Sequence, residues 1–246
     1  MDWFEKPDYW ARFYDWMFSP ERFEQGVTQA ADLAQLLGLE SGAILDLACG
    51  PGRHSVPLAK AGFRVTAVDR EPFLLEKARD YAAQEGAEIA FVEEDMRRLE
   101  RAEAFDAAIN MFSSFGYFED PEDDLTVLRN AYRSLKPGGR LLLDVRGKEV
   151  HAMGLQETVS SELENGDLIV QRTLMNEDWT RAVSKWVYIE GATADTFEFE
   201  LTLYSGAELR NLLCTAGFPE VQLYGSLGGT PYDHTAKRLI AVASKH

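Results

Sequence analysis

The chain of 246 residues predicts an α/β fold: a doubly wound, mostly parallel sheet with an N-terminal helical lid and an inserted antiparallel β cap. Three observations carry that prediction. Residues 43–69 read as a buried strand, a tight glycine turn, a helix and a second buried strand that ends on an acid. The alternation of short apolar runs with helical stretches continues to about residue 145, which gives a parallel sheet covered by helices on both faces. From about residue 156 the rhythm changes to closely spaced strands joined by turn residues.

The elements follow in chain order. Met1-Asp2-Trp3-Phe4-Glu5-Lys6 has neither a basic start nor a long apolar stretch, so it indicates no signal peptide and no membrane span. Residues 8–18 are dense in aromatics, with Tyr9, Phe13 and Trp16 on one helical stripe and Trp10, Tyr14 and Met17 on the next. Two uses are open to that helix: packing its broad apolar side on the domain, or capping a ligand. A helix over 27–37 precedes the strand Ala43–Leu47, which is apolar apart from Asp46, as a strand buried on both faces should be. The helix over 55–61 carries Pro57 in its first turn, where a missing N–H costs little. Strands over 64–68, 89–92 and 107–111 alternate with helices over 72–84 and 123–135. Lys136-Pro137-Gly138-Gly139 then turns the chain into a strand over 140–145. The cap comprises strands over 157–163, 168–174, 183–189 and 196–203, with Asn165-Gly166 as a hairpin turn. Trp186 and Tyr188 share one face there, an aromatic wall that either roofs a pocket or joins two copies as a homodimer. A helix over 205–216 and strands over 220–223 and 239–243 complete the sheet.

Gly50 and Gly52 let the turn after the first strand bring bare backbone close to a ligand. Asp69 lies 23 residues after Asp46, placed to accept hydrogen bonds from two ribose hydroxyls. The spacing argues against a dinucleotide, because Ser55 stands where the third small residue belongs and Pro51 separates the glycines. No phosphate loop of the G-x-x-x-x-G-K-[ST] type is present.

Asp46-Leu47-Ala48-Cys49-Gly50-Pro51-Gly52 resembles the first motif of the class I S-adenosylmethionine-dependent methyltransferases, and Val68-Asp69 the second. Phe91-Val92-Glu93-Glu94-Asp95-Met96 is similar to the third, residues 105–112 to the fourth strand, and residues 135–144 to the turn and strand after it. The likeness implies a Rossmann-like methyltransferase with S-adenosylmethionine as cofactor. It implies cofactor contacts at Tyr14, Asp46, Ala48, Gly50, Gly52, Asp69, Arg70, Asp95, Met96, Met111 and Phe112, with Asp95 on the adenine amine and Met96 over the ring. The aromatic stretch 111–117 is similar to small-molecule N-methyltransferases of the sugar-amine type. Acceptor-pocket candidates are Ser113, Phe115, Tyr117 and Arg146, with Trp179 and Trp186 from the cap. The expected organisation is a lid over 1–40, a cofactor-binding core over 41–150, a cap over 151–203 and a completion of the core over 204–246.

The net charge of −16, from 25 Lys and Arg against 41 Asp and Glu, should repel polyanions, so a nucleic-acid substrate is disfavoured. Base-modifying families often carry Asn/Asp-Pro-Pro-aromatic after the fourth strand, and here that place reads Asn110-Met111-Phe112-Ser113. Cys49 and Cys214 suit a reduced, cytoplasmic setting rather than a disulfide frame. No metal-ligand spacing is evident. His151 follows the fifth strand and is the candidate base, while His54 is expected to cap the helix after the glycine turn. The expected reaction is in-line transfer of a methyl group to an amine or hydroxyl of a small molecule, driven mainly by proximity and desolvation. Methylation of RNA or protein, and cofactor binding without turnover, stay open beside it.

Overall fold

The computed structural model describes residues 7–246; the reading of Met1-Asp2-Trp3-Phe4-Glu5-Lys6 lies outside the described residues. Two sheets divide the chain. The larger has seven strands: β1 (Ala43–Leu47), β2 (Arg64–Asp69), β3 (Ile89–Glu93), β4 (Phe105–Asn110), β5 (Leu135–Val145), β10 (Glu220–Tyr224) and β11 (Leu239–Ser244). Their order is β10-β11-β5-β4-β1-β2-β3, and only β11 runs against its neighbours. The smaller sheet is an antiparallel meander of β6 (Thr158–Glu162), β7 (Leu168–Met175), β8 (Arg181–Glu190) and β9 (Thr193–Thr202).

Helices α1 (Pro7–Met17), α2 (Pro20–Leu37), α3 (Ser55–Lys60), α4 (Pro72–Glu85), α5 (Pro121–Ser134), α6 (Lys148–Met153) and α7 (Gly206–Ala216) complete the order. Their ends follow local chemistry. The Asp120 carboxylate accepts the Glu122 N–H at 2.9 Å ahead of an acidic first turn on α5. Ser205 and Glu208 close a reciprocal capping box on α7. Gly38 stops α2 at φ 65°, a conformation its missing Cβ makes cheap.

Burial of β1 on both faces explains its near-continuous apolar run. Leu45 and Leu47 enter the core under α5 and α7, whereas Ile44 enters the core under α2 and α3. A third cluster lies elsewhere: Tyr9 and Phe13 of α1 pack on Ile169, Tyr188 and Phe197 of the antiparallel sheet. Arg12 adds ion pairs to Glu190 and Asp195 across the same boundary. Thus α1 is attached to the smaller sheet, and the two form one covering layer.

Three elements differ from the sequence expectation. The second helix starts at Pro20 rather than 27, because Ser19-Pro20 supplies an extended entry residue and a proline at the first helical position. Lys136-Pro137-Gly138-Gly139 is no turn between elements but a bulge inside β5, across which pairing with β4 shifts from Phe105↔Leu135 to Ala107↔Arg140. The short α6 has no counterpart among the expected helices; Gly147 and Gly154 bound it within six residues, too few for a helical period to register.

Candidate active site

The carboxyl ends of β1, β2, β3 and β4 open into one pocket, at the place where strand order reverses between β1 and β4. Ala48 leaves β1 in the left-handed region at φ 57°, and Gly50 and Gly52 follow at 56° and 81°. That run of unusual backbone folds the chain tightly enough for the Gly50 N–H to donate to Asp69 Oδ2 at 2.8 Å. The other Asp69 oxygen accepts the Glu71 N–H at 2.9 Å, so this acid ties the glycine turn to the end of β2. Asp46 faces the same pocket and accepts the Ser55 hydroxyl at 2.5 Å.

Farther along, Asp95 receives Arg97 three times, from its backbone N–H at 2.9 Å, Nε at 3.0 Å and Nη2 at 2.7 Å, and Arg70 Nη1 at 3.3 Å. Burial works to raise its carboxyl, but the Arg97 contacts prevail and hold it below the usual range. Asp46, Asp69, Glu94 and Asp95 thus make one end of the pocket acidic. The other end is built on the turn after β4, where Phe112 and Ser113 both adopt positive φ, 60° and 63°. Two consecutive non-glycine residues in that region store strain and need outside support. Asp144 supplies it: its carboxylate accepts the Phe112 N–H at 3.2 Å and its carbonyl the Ser113 N–H at 2.8 Å. Arg238 locks Asp144 in turn, donating Nε to Oδ1 at 2.6 Å and Nη2 to the Ser113 hydroxyl at 2.8 Å.

Of the residues expected at the cofactor, Asp46, Ala48, Asp69, Arg70, Asp95, Met96, Met111 and Phe112 line this pocket. Gly50 and Gly52 shape its floor without lining it, and a Cβ on Gly52 would meet the Ala78 Cβ at 3.3 Å. Tyr14 stands apart, edge-on to Phe73 at 5.5 Å and beside Phe18 at 5.4 Å. Among the acceptor candidates, Ser113, Tyr117 and Trp186 line the pocket. Phe115 is instead buried in the core beside Tyr204, Arg146 is exposed outside the lining, and Trp179 sits 42 % exposed in the β7–β8 turn. His151 is also outside the lining, buried on α6 with neither ring nitrogen bonded. His54 caps nothing; its Nε2 lies 2.8 Å from Gln29 Oε1 on α2.

Sequence reasoning missed several lining residues. Trp10, Met17 and Phe18 enter from α1 and its exit, and Arg53 and Phe118 from the turns after β1 and β4. Arg53 directly follows the glycine turn, a position that could have drawn notice. Arg238 has no local signal, because 94 residues separate it from Asp144.

Burial raises the Asp46 carboxyl to about 7 and those of Asp69 and Asp124 to about 6. The folded chain therefore keeps protons that an unfolded carboxyl, near 3.9, has already lost, so these groups favour folding less as pH rises through that range. Burial drives His54 down to about 3 and His151 to about 4, which acts in the opposite sense and is complete only about one pH unit or more above the ordinary histidine value of about 6.5, where the unfolded ring is half deprotonated. Between about pH 6.5 and 8 the carboxyls and the unfolded histidines titrate together, with opposite effects on stability. The ligand-free protein is expected to change by no more than roughly 0.5 kcal/mol, or about 1–2 °C in Tm, over this range, because the carboxyl loss of about 1 kcal/mol is nearly met by the histidine gain. Thermal scans in matched buffers check this, and Asp46→Asn, which removes most of the carboxyl loss, should leave a Tm that rises over the same range.

Among the described residues no cluster of histidine, cysteine or acid side chains is arranged to hold a metal ion, and no helix is long and apolar enough to cross a membrane. The acid set suits a ligand rich in hydroxyl and amine donors with a positive centre, which is the chemistry of S-adenosylmethionine.

The methyltransferase-domain family matches residues 44–139, the stretch that holds β1 through the β5 bulge. Over 213 residues, 84 % of each chain, the protein is 31 % identical to the cypemycin N-terminal methyltransferase of a Streptomyces species. Glycine/sarcosine N-methyltransferase of Aphanothece halophytica is 29 % identical over 204 residues, 82 % of this chain and 76 % of the relative. In fold, the CcbJ methyltransferase of Streptomyces caelestis superimposes with a TM-score of 0.76 at 20 % identity, over 90 % of this chain and 95 % of that one. On these matches the chain belongs to the S-adenosylmethionine-dependent methyltransferases.

Proposed function

We propose that the protein methylates an amine of a small molecule, with hydroxyl acceptors as the less favoured class. The observation that carries this reading is the division of the pocket into an acidic end and an aromatic end under the α1 layer. Asp69, already fixed by two N–H groups, has lone pairs left for the ribose hydroxyls. Asp95 accepts the adenine amine in place of its long contact to Arg70 at 3.3 Å, and Met96 covers the ring. When bound, S-adenosylmethionine supplies an electrophilic methyl group on a sulfonium that is already a good leaving group.

The chain's part is then to align and dry the reactants, which is worth roughly 7–11 kcal/mol where orientation is good. Tyr9, Trp10, Tyr117 and Trp186 wall the acceptor end. Electron-rich rings attract the sulfonium, and the positive charge that builds on the amine nitrogen during transfer, by about 0.5–2 kcal/mol each. His54, driven to about 3, is too weak a base to take a proton at neutral pH, and His151 stands outside the lining. An amine therefore enters in its neutral form and sheds its proton to water after transfer. The relatives named for a peptide N-terminus and for glycine and sarcosine act on amines, which supports the choice of nitrogen.

The test is calorimetry against S-adenosylhomocysteine, S-adenosylmethionine and NAD, followed by transfer assays on panels of small amines, phenols and alcohols. The expected result is micromolar binding of the first two, about −8 kcal/mol, none of NAD, and turnover confined to amines. Turnover of hydroxyl compounds alone would overturn the choice of acceptor, and binding of NAD alone the cofactor with it.

A further inference from the structure

We propose that Asp124 is a positioning residue for methyl transfer, taking the Gly116 N–H and so fixing the backbone on which Tyr117 stands. This rests on the reading of the pocket as a small-molecule methyltransferase site, with Tyr117 in the wall of its acceptor end. Asp124 is fully buried in the first turn of α5. Among the described residues no cation pairs with it; Arg181 acts on it from a distance but pairs with Glu200 at 2.9 Å. The helix has no need of it as a cap, since Asp120 fills that place. A buried carboxylate kept without a cation is costly, and such groups gather where function holds them.

Its two oxygens are used unequally. Oδ2 accepts the Tyr204 hydroxyl at 2.6 Å, whereas Oδ1 makes no hydrogen bond. The Gly116 N–H is turned toward the carboxylate and acts to lower it against the effect of burial. That N–H makes no hydrogen bond elsewhere among the described residues. A buried donor and a buried acceptor therefore face each other, and a small movement of the loop joins them.

The rest of the loop is already held. Gly116 has φ 100°, its carbonyl accepts the Thr202 N–H at 2.8 Å, and a Cβ there would lie 2.7 Å from the Thr202 oxygen. Arg181 gives Nη2 to the Phe118 carbonyl and Nη1 to that of Glu119, each at 3.4 Å. Phe112 and Ser113 hang on Asp144. Tyr117 stands between these supports, its ring 6.1 Å from Phe199. The Asp124 bond removes the freedom left to the loop, and a displacement of about 1 Å at a reacting group can cost about 10²-fold in rate.

The test first follows the Gly116 amide by NMR, in protein saturated with S-adenosylhomocysteine, from about pH 5 to 8. Tyr204, Asp123 and Arg181 are the other titratable or charged groups that act on the Asp124 carboxyl. Expected is a shift of the amide with a midpoint near 6, abolished in Asp124→Asn and kept in Tyr204→Phe. Kinetics then use S-adenosylmethionine and the most active amine of the transfer panel. Asp124→Leu should lower kcat at least about tenfold with affinity for S-adenosylhomocysteine within about threefold. Asp124→Asn, whose one oxygen must serve two donors, should fall between. Tyr204→Phe should lose stability but keep its kcat. An amide that does not titrate, or an unchanged kcat in whichever Asp124 variants fold, overturns the proposal. An equal loss of kcat in Tyr204→Phe also overturns it, because the carboxylate would then serve only to hold the fold. No turnover of any amine, with S-adenosylhomocysteine bound and the amide still titrating, is failure of the underlying reading and takes the positioning role with it.

Discussion

Asp69→Ala is expected to weaken S-adenosylhomocysteine binding by about 10²–10³-fold, the larger of the two strongest effects on the pocket. Two costs combine. The substitution strands the Gly50 and Glu71 N–H groups that the carboxylate now accepts. The free protein relaxes its turn to let water reach them, and binding must reorder that turn against part of the about 1–3 kcal/mol that each buried donor left unmade costs. It also removes the acceptor proposed for the ribose. Partial relaxation of the glycine turn and relief of a buried charge return some of this, so a net loss of about 3–4 kcal/mol is the expected sum, equivalent to the stated factor. Asp69→Asn keeps the shape but turns one acceptor into a donor facing an N–H, so it should fall near the alanine variant. Calorimetry measures both. A parallel titration with the 2′-deoxy ligand separates the loop from the ribose: Asp69→Ala should cost the deoxy ligand less. An affinity within threefold of the unmutated protein would remove Asp69 from the cofactor site.

What could be read in the sequence, and what could not, divides by distance along the chain. β1, the glycine turn and Asp69 fall within one strand–helix–strand unit, where burial on both faces writes a continuous apolar run and a turn needs particular residues. Asp46, Asp69 and Asp95 were legible for the same reason, since each ends or interrupts a short strand whose position local patterning determines. The cationic end was not. Arg53 lies in the loop after β1, Arg22 on α2, Phe112 after β4 and Arg238 before β11. Only the strand order β11-β5-β4-β1 brings them to one ring, and no local period encodes that order. The tryptophans of the smaller sheet make the point within a single hairpin. Trp186 sits on β8 with the inward-facing Ser184 and Tyr188 and reaches the pocket, while Trp179 occupies the turn at φ 58°. Composition marks the two residues alike; register and turn geometry separate them.

Phe13→Ala is expected to detach α1 from the smaller sheet and cost most of the methyl transfer while leaving the larger sheet folded. The Phe13 ring is fully buried, 5.4 Å from Trp186, 5.8 Å from Tyr188 and 5.3 Å from Phe197. Truncating such a ring costs about 3–5 kcal/mol. An 11-residue helix has too little intrinsic stability to hold its place against that loss. The ion pairs of Arg12 are exposed and screened by salt, so they do not substitute for the packing. The clusters on the two faces of the larger sheet contain neither Tyr9 nor Phe13, so the main thermal transition should move by only a few degrees. The expected signs are new protease cleavage within residues 7–18 and a fall of at least 100-fold in kcat/KM for an amine found active. The pocket would lose the Tyr9, Trp10, Met17 and Phe18 side of its wall and admit water to the acceptor. Because Asp69 and Asp95 stay in place, affinity for S-adenosylhomocysteine should fall less than in Asp69→Ala. The two uses open to the aromatic helix part here: if α1 only packs, stability falls and transfer persists; if it closes the pocket, transfer falls with the larger sheet intact.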